Sequence, residues 1–181
     1  MRTLFLAALL MTIVPAALPA AAPPVAPNGI ALFQDYRDWQ VIAPSFREDK
    51  KHIRVILGNQ PAVRAMRDKV RPLPDGAVLA KVAWTVRQHH SFPVATEPDT
   101  FVQVEFMVKD SVAYKATGGW GFARFIGNDL KPYGKDASFV QECIGCHLPV
   151  KSNDYLFTGY APTPDLPAPQ LTTPGGFRVV Q

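Results

Sequence analysis

Cysteine is the scarcest informative residue in this chain. Two occur in 181 residues, three positions apart, so a bridge between them would close a loop too small to brace a fold. No disulfide framework is available, and their purpose is to be sought in chemistry. Long apolar runs are also missing. The longest, Leu4 to Val14, falls short of the roughly 20 residues that cross a bilayer. Neither sign of charge dominates, since 19 basic and 15 acidic side chains are scattered without blocks. That balance removes the electrostatic reason to expect a nucleic acid or membrane partner. The sequence shows neither an internal repeat nor a second domain.

What is present begins with "MRTLFLAALLMTIVPAALPAAA", where Arg2, the apolar run and small residues through Ala22 have the form of a secretory signal peptide. Residues 1–22 are expected to be that signal and the mature protein to be soluble and exported to the periplasm. Residues 23–29 form a proline-rich spacer, 30–160 a single domain, and 161–181 an irregular tail with five prolines. The hydrophobic fraction of 48% suits a globular domain of this length.

Within the domain, Phe33, Tyr36 and Trp39 recur at the spacing of one helical face. "HIRVILGN" predicts a short buried strand ending at Gly58. Asn59 then caps a helix expected from Pro61 to about Arg71, which stops before Pro72 and Pro74. "PDGAVLAKVAWTVRQ" predicts an Asp-Gly turn and a strand with Val78, Ala80, Val82, Trp84 and Val86 on one face, and Ala77, Leu79, Lys81, Ala83 and Thr85 on the other. "TFVQVEFMVKD" alternates in the same way, with Val102, Val104, Phe106 and Val108 sharing a side. "WGFARFI" is a third strand after Gly118-Gly119, and 136–147 is helical again. Strands in succession joined by modest loops predict an antiparallel sheet, so the fold class is α+β, with the cysteine pair on or near a C-terminal helix.

Cys143-Ile144-Gly145-Cys146-His147 has the spacing that attaches c-type haem. Each thiol adds to a vinyl group and the adjacent imidazole is held below the iron. A zinc site would need a second pair of ligands, and only His52, His89 and His90 remain. A thioredoxin-like pair belongs beside a βαβ pattern, which is absent. Nothing after His147 can ligate iron, so the sixth position is expected to be open; Met66, Met107, His89 and His90 are the other side chains able to close it, with core packing the plainer reading of both methionines. A bare distal side binds small uncharged or weakly basic molecules such as nitric oxide, or reacts with them.

"YRDW" at Tyr36 to Trp39, "DGAVLAK" at Asp75 to Lys81, "VKDSVAY" followed by "GGWGF", and the late "CIGCH" stand in the order of the cytochrome P-460 family, which the chain resembles from about residue 33 to 158. The resemblance implies a small antiparallel β-sheet flanked by helices, a homodimer, and one covalently attached haem c with Cys143, Cys146 and His147 as its anchors. Catalytic members oxidise hydroxylamine to nitrous oxide or nitric oxide and pass electrons to an external, soluble redox partner. A related branch, cytochrome c′-beta, binds nitric oxide behind phenylalanines. In the enzymes a strand lysine is bonded to the porphyrin edge, a position that Lys81 matches; a stem lying along the sheet is the other reading of that lysine. The enzymes also carry a carboxylate above the iron shortly before the haem motif. The position nine before His147 is Ser138, which leaves Asp136 as candidate base, while Glu142 is expected to face solvent. Phe106, in an inward strand slot, is the candidate distal wall, with core packing as the alternative.

Overall fold

A computed structural model describes residues 22–161. The expected signal segment, apart from Ala22, and all but the first residue of the proline-rich tail lie outside the described residues. Six strands, β1 (Gln40–Arg47), β2 (His52–Gly58), β3 (Val78–Gln88), β4 (Thr96–Lys109), β5 (Trp120–Ile126) and β6 (Lys131–Pro132), form one sheet in sequence order. Every neighbouring pair is antiparallel. Two short helices, α1 (Gln60–Arg67) and α2 (Val140–His147), accompany it. This is the α+β architecture expected from the pattern of the chain.

The alternation of β3, β4 and β5 divides the interior in two. One face carries Val78, Ala80, Val82, Val104, Phe106, Ala123 and Phe125 and is covered by Ile30, Leu32 and Tyr36 of the entering segment. The other carries Leu79, Trp120 and Phe122 and packs against Ala62, Val63, Ala65 and Met66 of α1, with Ile144 of α2 and Leu156 beyond it. Trp120, Val104 and Phe125 are fully buried, each contributing on the order of 1.5–3 kcal/mol by removing apolar surface from water. With its two apolar faces separately covered, the sheet can hold different chemistry on each side.

Local rules account for most boundaries. The Phe33–Trp39 spacing becomes a 3-10 helix at Gln34–Asp38. Asp110 Oδ1 accepts from Val112 N and Ala113 N, and Asp75 accepts from Ser111 N and Oγ, so both carboxylates shape the turn after β4. The expected helix of α1 is shorter than its apolar spacing suggested: it ends at Arg67, with Asp68 as its C-cap and Lys69 at φ +56°. Strand β1 had no sequence signal, because Pro44 and an irregular burial pattern mask it. It lies at the sheet edge, where proline's missing donor is tolerated.

Asn59 does more than cap. Its Oδ1 accepts from Ala62 N at 3.2 Å and from Val78 N at 3.0 Å, and its Nδ2 donates to Gly76 O at 2.8 Å. The side chain therefore ties the start of α1 to the start of β3. Asn59→Ala is expected to cost about 2 kcal/mol, the upper end for a lost cap because a strand donor is orphaned with it. Urea unfolding of the purified variant measures this, and a loss under about 0.5 kcal/mol would show that the extra bonds contribute nothing.

Candidate functional site

Helix α2 follows a 3-10 turn at Ala137–Phe139 and leads into another at Leu148–Asn153. Positions three and four apart share a helical face, so Cys143, Cys146 and His147 are presented together from one turn and a half. Both thiols are free, Cys143 half-buried and Cys146 exposed. Burial pushes the Cys143 thiol up to about 11, against the pull of the nearby Arg124 cation. It is a protonated thiol at neutral pH, unsuited to act unaided as a thiolate nucleophile.

His147 is more tightly defined. Its Nδ1 stands 2.6 Å from the carbonyl oxygen of Tyr155. A carbonyl only accepts, so Nδ1 carries the proton and Nε2 keeps its lone pair. Phe122 packs tilted against the ring at 5.5 Å and Phe157 edge-on at 5.0 Å. Burial lowers the His147 pKa, an effect that the bond to Tyr155 partly opposes, and the imidazole is neutral at neutral pH.

The sheet face turned toward this helix is unexpectedly polar. Lys81 on β3 pairs with Glu105 on β4, and Glu105 with Arg124 on β5, as direct cross-strand partners. Glu105 Oε1 accepts from Arg124 Nε at 2.9 Å, while Oε2, closed off from water, faces Lys81 Nζ as an ion pair without a directed hydrogen bond. Burial by itself would push the Glu105 carboxyl up, but Lys81 and Arg124 together outweigh it and hold the group below the ordinary carboxylate range. The fields of Lys81 and Glu105 reach both Cys143 and His147. Farther along the same face, Ser45 on β1 and Arg54 on β2 are register partners, and Ser45 Oγ and Arg54 Nε are buried without any hydrogen-bond partner.

The remaining sequence candidates fall elsewhere. Phe106, the expected distal wall, is turned by strand alternation to the face opposite Lys81 and Glu105. There it is 1% exposed and packs among Phe33, Tyr36, Trp39 and Phe125. Asp136 is exposed and caps the 3-10 turn, accepting from Ser138 N at 2.8 Å, a bond that lowers its pKa. Glu142 accepts from Tyr133 OH at 2.8 Å. Met66 is 2% exposed in the α1 core, with Arg71 Nη2 donating to its sulfur. His89 and His90 stack on each other past the end of β3, roughly 25 Å along the strand from Lys81. Sequence reasoning passed over Glu105, Arg124, Arg54, Ser45 and Tyr155. The alternation of β4 was the available signal for Glu105, since it lies between Val104 and Phe106 and must face the other way.

Residues 33–158 match the Cytochrome P460 family. The chain belongs to the Cytochrome P460 family. The match spans the sheet and both helices, including the cysteine–histidine turn, and marks the protein as a haem-carrying cytochrome that takes small-molecule ligands. No curated protein matches the chain. Among the described residues no helix is long and apolar enough to cross a membrane.

The residues of this P460 chain fit a haem. Two thiols and a neutral imidazole with a free Nε2 converge from one helical turn. Arg54 Nε and Ser45 Oγ are buried polar groups lacking partners, which cost free energy unless something outside the polypeptide satisfies them. A haem's propionates and polar edge answer that need.

Proposed function

We propose that this protein is an exported c-type cytochrome with one haem bonded through Cys143 and Cys146, His147 beneath the iron, and the opposite side open to a small nitrogen compound. The observation that carries the reading is the imidazole of the cysteine–histidine turn, fixed in one tautomer by the Tyr155 carbonyl with Nε2 left free, within the field of a buried charged layer. When bound, a haem supplies an iron that takes a nitrogen ligand and accepts electrons from it.

The chain's own groups support oxidation of hydroxylamine to nitrous oxide or nitric oxide, with the electrons leaving to a soluble redox partner. Lys81 lies on the face of β3 turned toward α2, and its field reaches Cys143 and His147, so its nitrogen is the strand group placed for a bond to the porphyrin edge. That bond replaces one N–H and one ring C–H and draws on an external two-electron oxidant of the peroxide class. Removal of substrate protons calls for a carboxylate. Asp136 keeps Oδ2 free while Oδ1 accepts from Ser138 N. Glu105 is already buried in the layer, and it gains basicity once Lys81 no longer carries a positive charge. The proposed form is a homodimer.

A second reading is a nitric-oxide-binding protein without turnover. It is favoured by Ser138 at the position nine before His147 and by the use of Asp136 as a cap.

The haem peptide from a tryptic digest separates the two. The enzymatic reading expects one fragment holding both the Lys81 and the Cys143 segments, and reduced-state absorption well to the red of an ordinary c-type haem. A haem carrying the Cys143 segment alone, with ordinary absorption, would leave the nitric oxide reading. Hydroxylamine turnover with an artificial acceptor is then expected to fall by about 10²–10⁴-fold when the working base is removed. Asp136→Ala and Glu105→Gln, compared side by side, show which carboxylate that is.

A further inference from the structure

Behind the imidazole lies a second charged cluster, apart from the Lys81–Glu105–Arg124 layer. Lys109 and Asp154 form an ion pair, Nζ to Oδ1 at 2.6 Å, with side chains only 5% and 6% exposed. Asp154 Oδ2 accepts from Leu73 N at 2.8 Å. Trp120 Nε1 donates to the Asp154 backbone carbonyl at 2.9 Å and approaches Oδ1 at 3.2 Å. Lys109 Nζ also sits 4.7 Å from the centre of the Trp120 ring. A buried pair of this kind is weak evidence of stability, since apolar residues of similar volume often do as well. Its effect is better sought in the geometry it imposes.

That geometry is unusual. Asp154 and Tyr155 both have left-handed backbone, at φ +53° and +62°. Each costs about 1–2 kcal/mol for a residue with a side chain. Two in succession persist only when their surroundings over-determine them. Here Asp154 is held by its carboxylate from two sides and by its carbonyl from a third. Tyr155 is held by its ring, which lies so close over Gly118 that a Cβ there would fall 2.2 Å from it. What this forced turn presents is the Tyr155 carbonyl, 2.6 Å from His147 Nδ1.

We infer that Lys109, Asp154 and Trp120 form a clamp that aims the Tyr155 carbonyl at His147 Nδ1, and so set the tautomer and electron-donating strength of the nitrogen that faces the cofactor. A strong acceptor on Nδ1–H gives the imidazole more imidazolate character and makes Nε2 a better donor. These three are positioning residues and touch neither cofactor nor substrate. The inference rests on the proposed role of His147 as iron ligand.

Resonance Raman spectra and redox titration of the haem-loaded, full-length protein test it. Asp154→Gly keeps a residue at ease with the left-handed backbone while removing the carboxylate. Lys109→Met removes the cation, and Trp120→Phe removes the indole donor together with part of its buried volume, a packing loss for which Val104→Ala below is the control. All three are expected to lower the iron–imidazole stretching frequency and raise the midpoint potential, Asp154→Gly most and Trp120→Phe least. Val104→Ala, a cavity in the opposite core, is expected to lower stability with neither shift.

Wild-type values in all three clamp variants would overturn the inference, as would an equal shift in Val104→Ala. If Asp154→Gly and Lys109→Met do not fold, Trp120→Phe against Val104→Ala decides in the same way. A wild-type protein with no iron–imidazole band would instead remove the ligand role of His147 itself.

Discussion

Cys143→Ser combined with Cys146→Ser is expected to abolish thioether attachment: haem not held by the proposed Lys81 bond leaves the polypeptide in acidified organic solvent, whereas the parent protein keeps its colour through the same treatment. The physical reason is the bond type. A hydroxyl does not form the thioether proposed for each thiol and a vinyl group, so only coordination and packing would remain, and acid protonates the imidazole proposed to coordinate. Single variants are expected to retain one link and hence the colour. Mass spectrometry of the denatured chains checks the count directly. Haem mass remaining on the double variant would show attachment elsewhere, with Lys81 the first position to search.

Glu105→Gln is expected to have the largest effect on stability. The side chain is 16% exposed and lies between Lys81 and Arg124, so the amide leaves two cations facing each other across a poorly hydrated strand. Breaking a buried pair in this way costs about 3 kcal/mol, and the thermal midpoint should fall by roughly 10 °C. The pH dependence carries the same signature. Because the folded protein holds the Glu105 carboxyl below its ordinary range, the unfolded chain binds the proton more readily. The stabilisation is therefore fully present above the ordinary carboxylate pKa and is lost as pH falls through the lower, folded value. Glu105→Gln should flatten that acid limb, as followed by thermal unfolding between pH 3 and pH 7 at ~one-unit steps. An acid limb identical to the parent's would mean that other carboxylates govern it. If Lys81 carries the proposed porphyrin bond, Glu105 loses one of its two cations, and the limb of the haem-loaded protein lies at higher pH.

Much of the sheet was legible in sequence because its strands are amphipathic in the simplest way. The period-two pattern of β3 assigned Val78, Ala80 and Val82 to one side and Leu79 and Lys81 to the other, and both assignments hold. The β5 bounds coincide with "WGFARFI", since glycines precede it and a turn follows. Strand β1 was not legible. Its order comes from pairing with β2 at the sheet edge and not from its own residues. Phe106 shows the limit of the same reasoning: alternation states which residues share a side but not which side receives the cofactor.

The cysteine–histidine turn is determined by sequence alone, because three side chains within five residues of one helix are brought together by helical geometry whatever surrounds them. The family resemblance is likewise a property of the linear order of short segments. Tertiary structure decided the rest of the site. It set Lys81, Glu105 and Arg124 in one cross-strand row, left Arg54 and Ser45 facing inward without partners, and joined Lys109 to Asp154 across 45 positions of chain. Each of those meetings depends on register and on burial, which raise the strength of a charge or a hydrogen bond only after distant segments have closed over it.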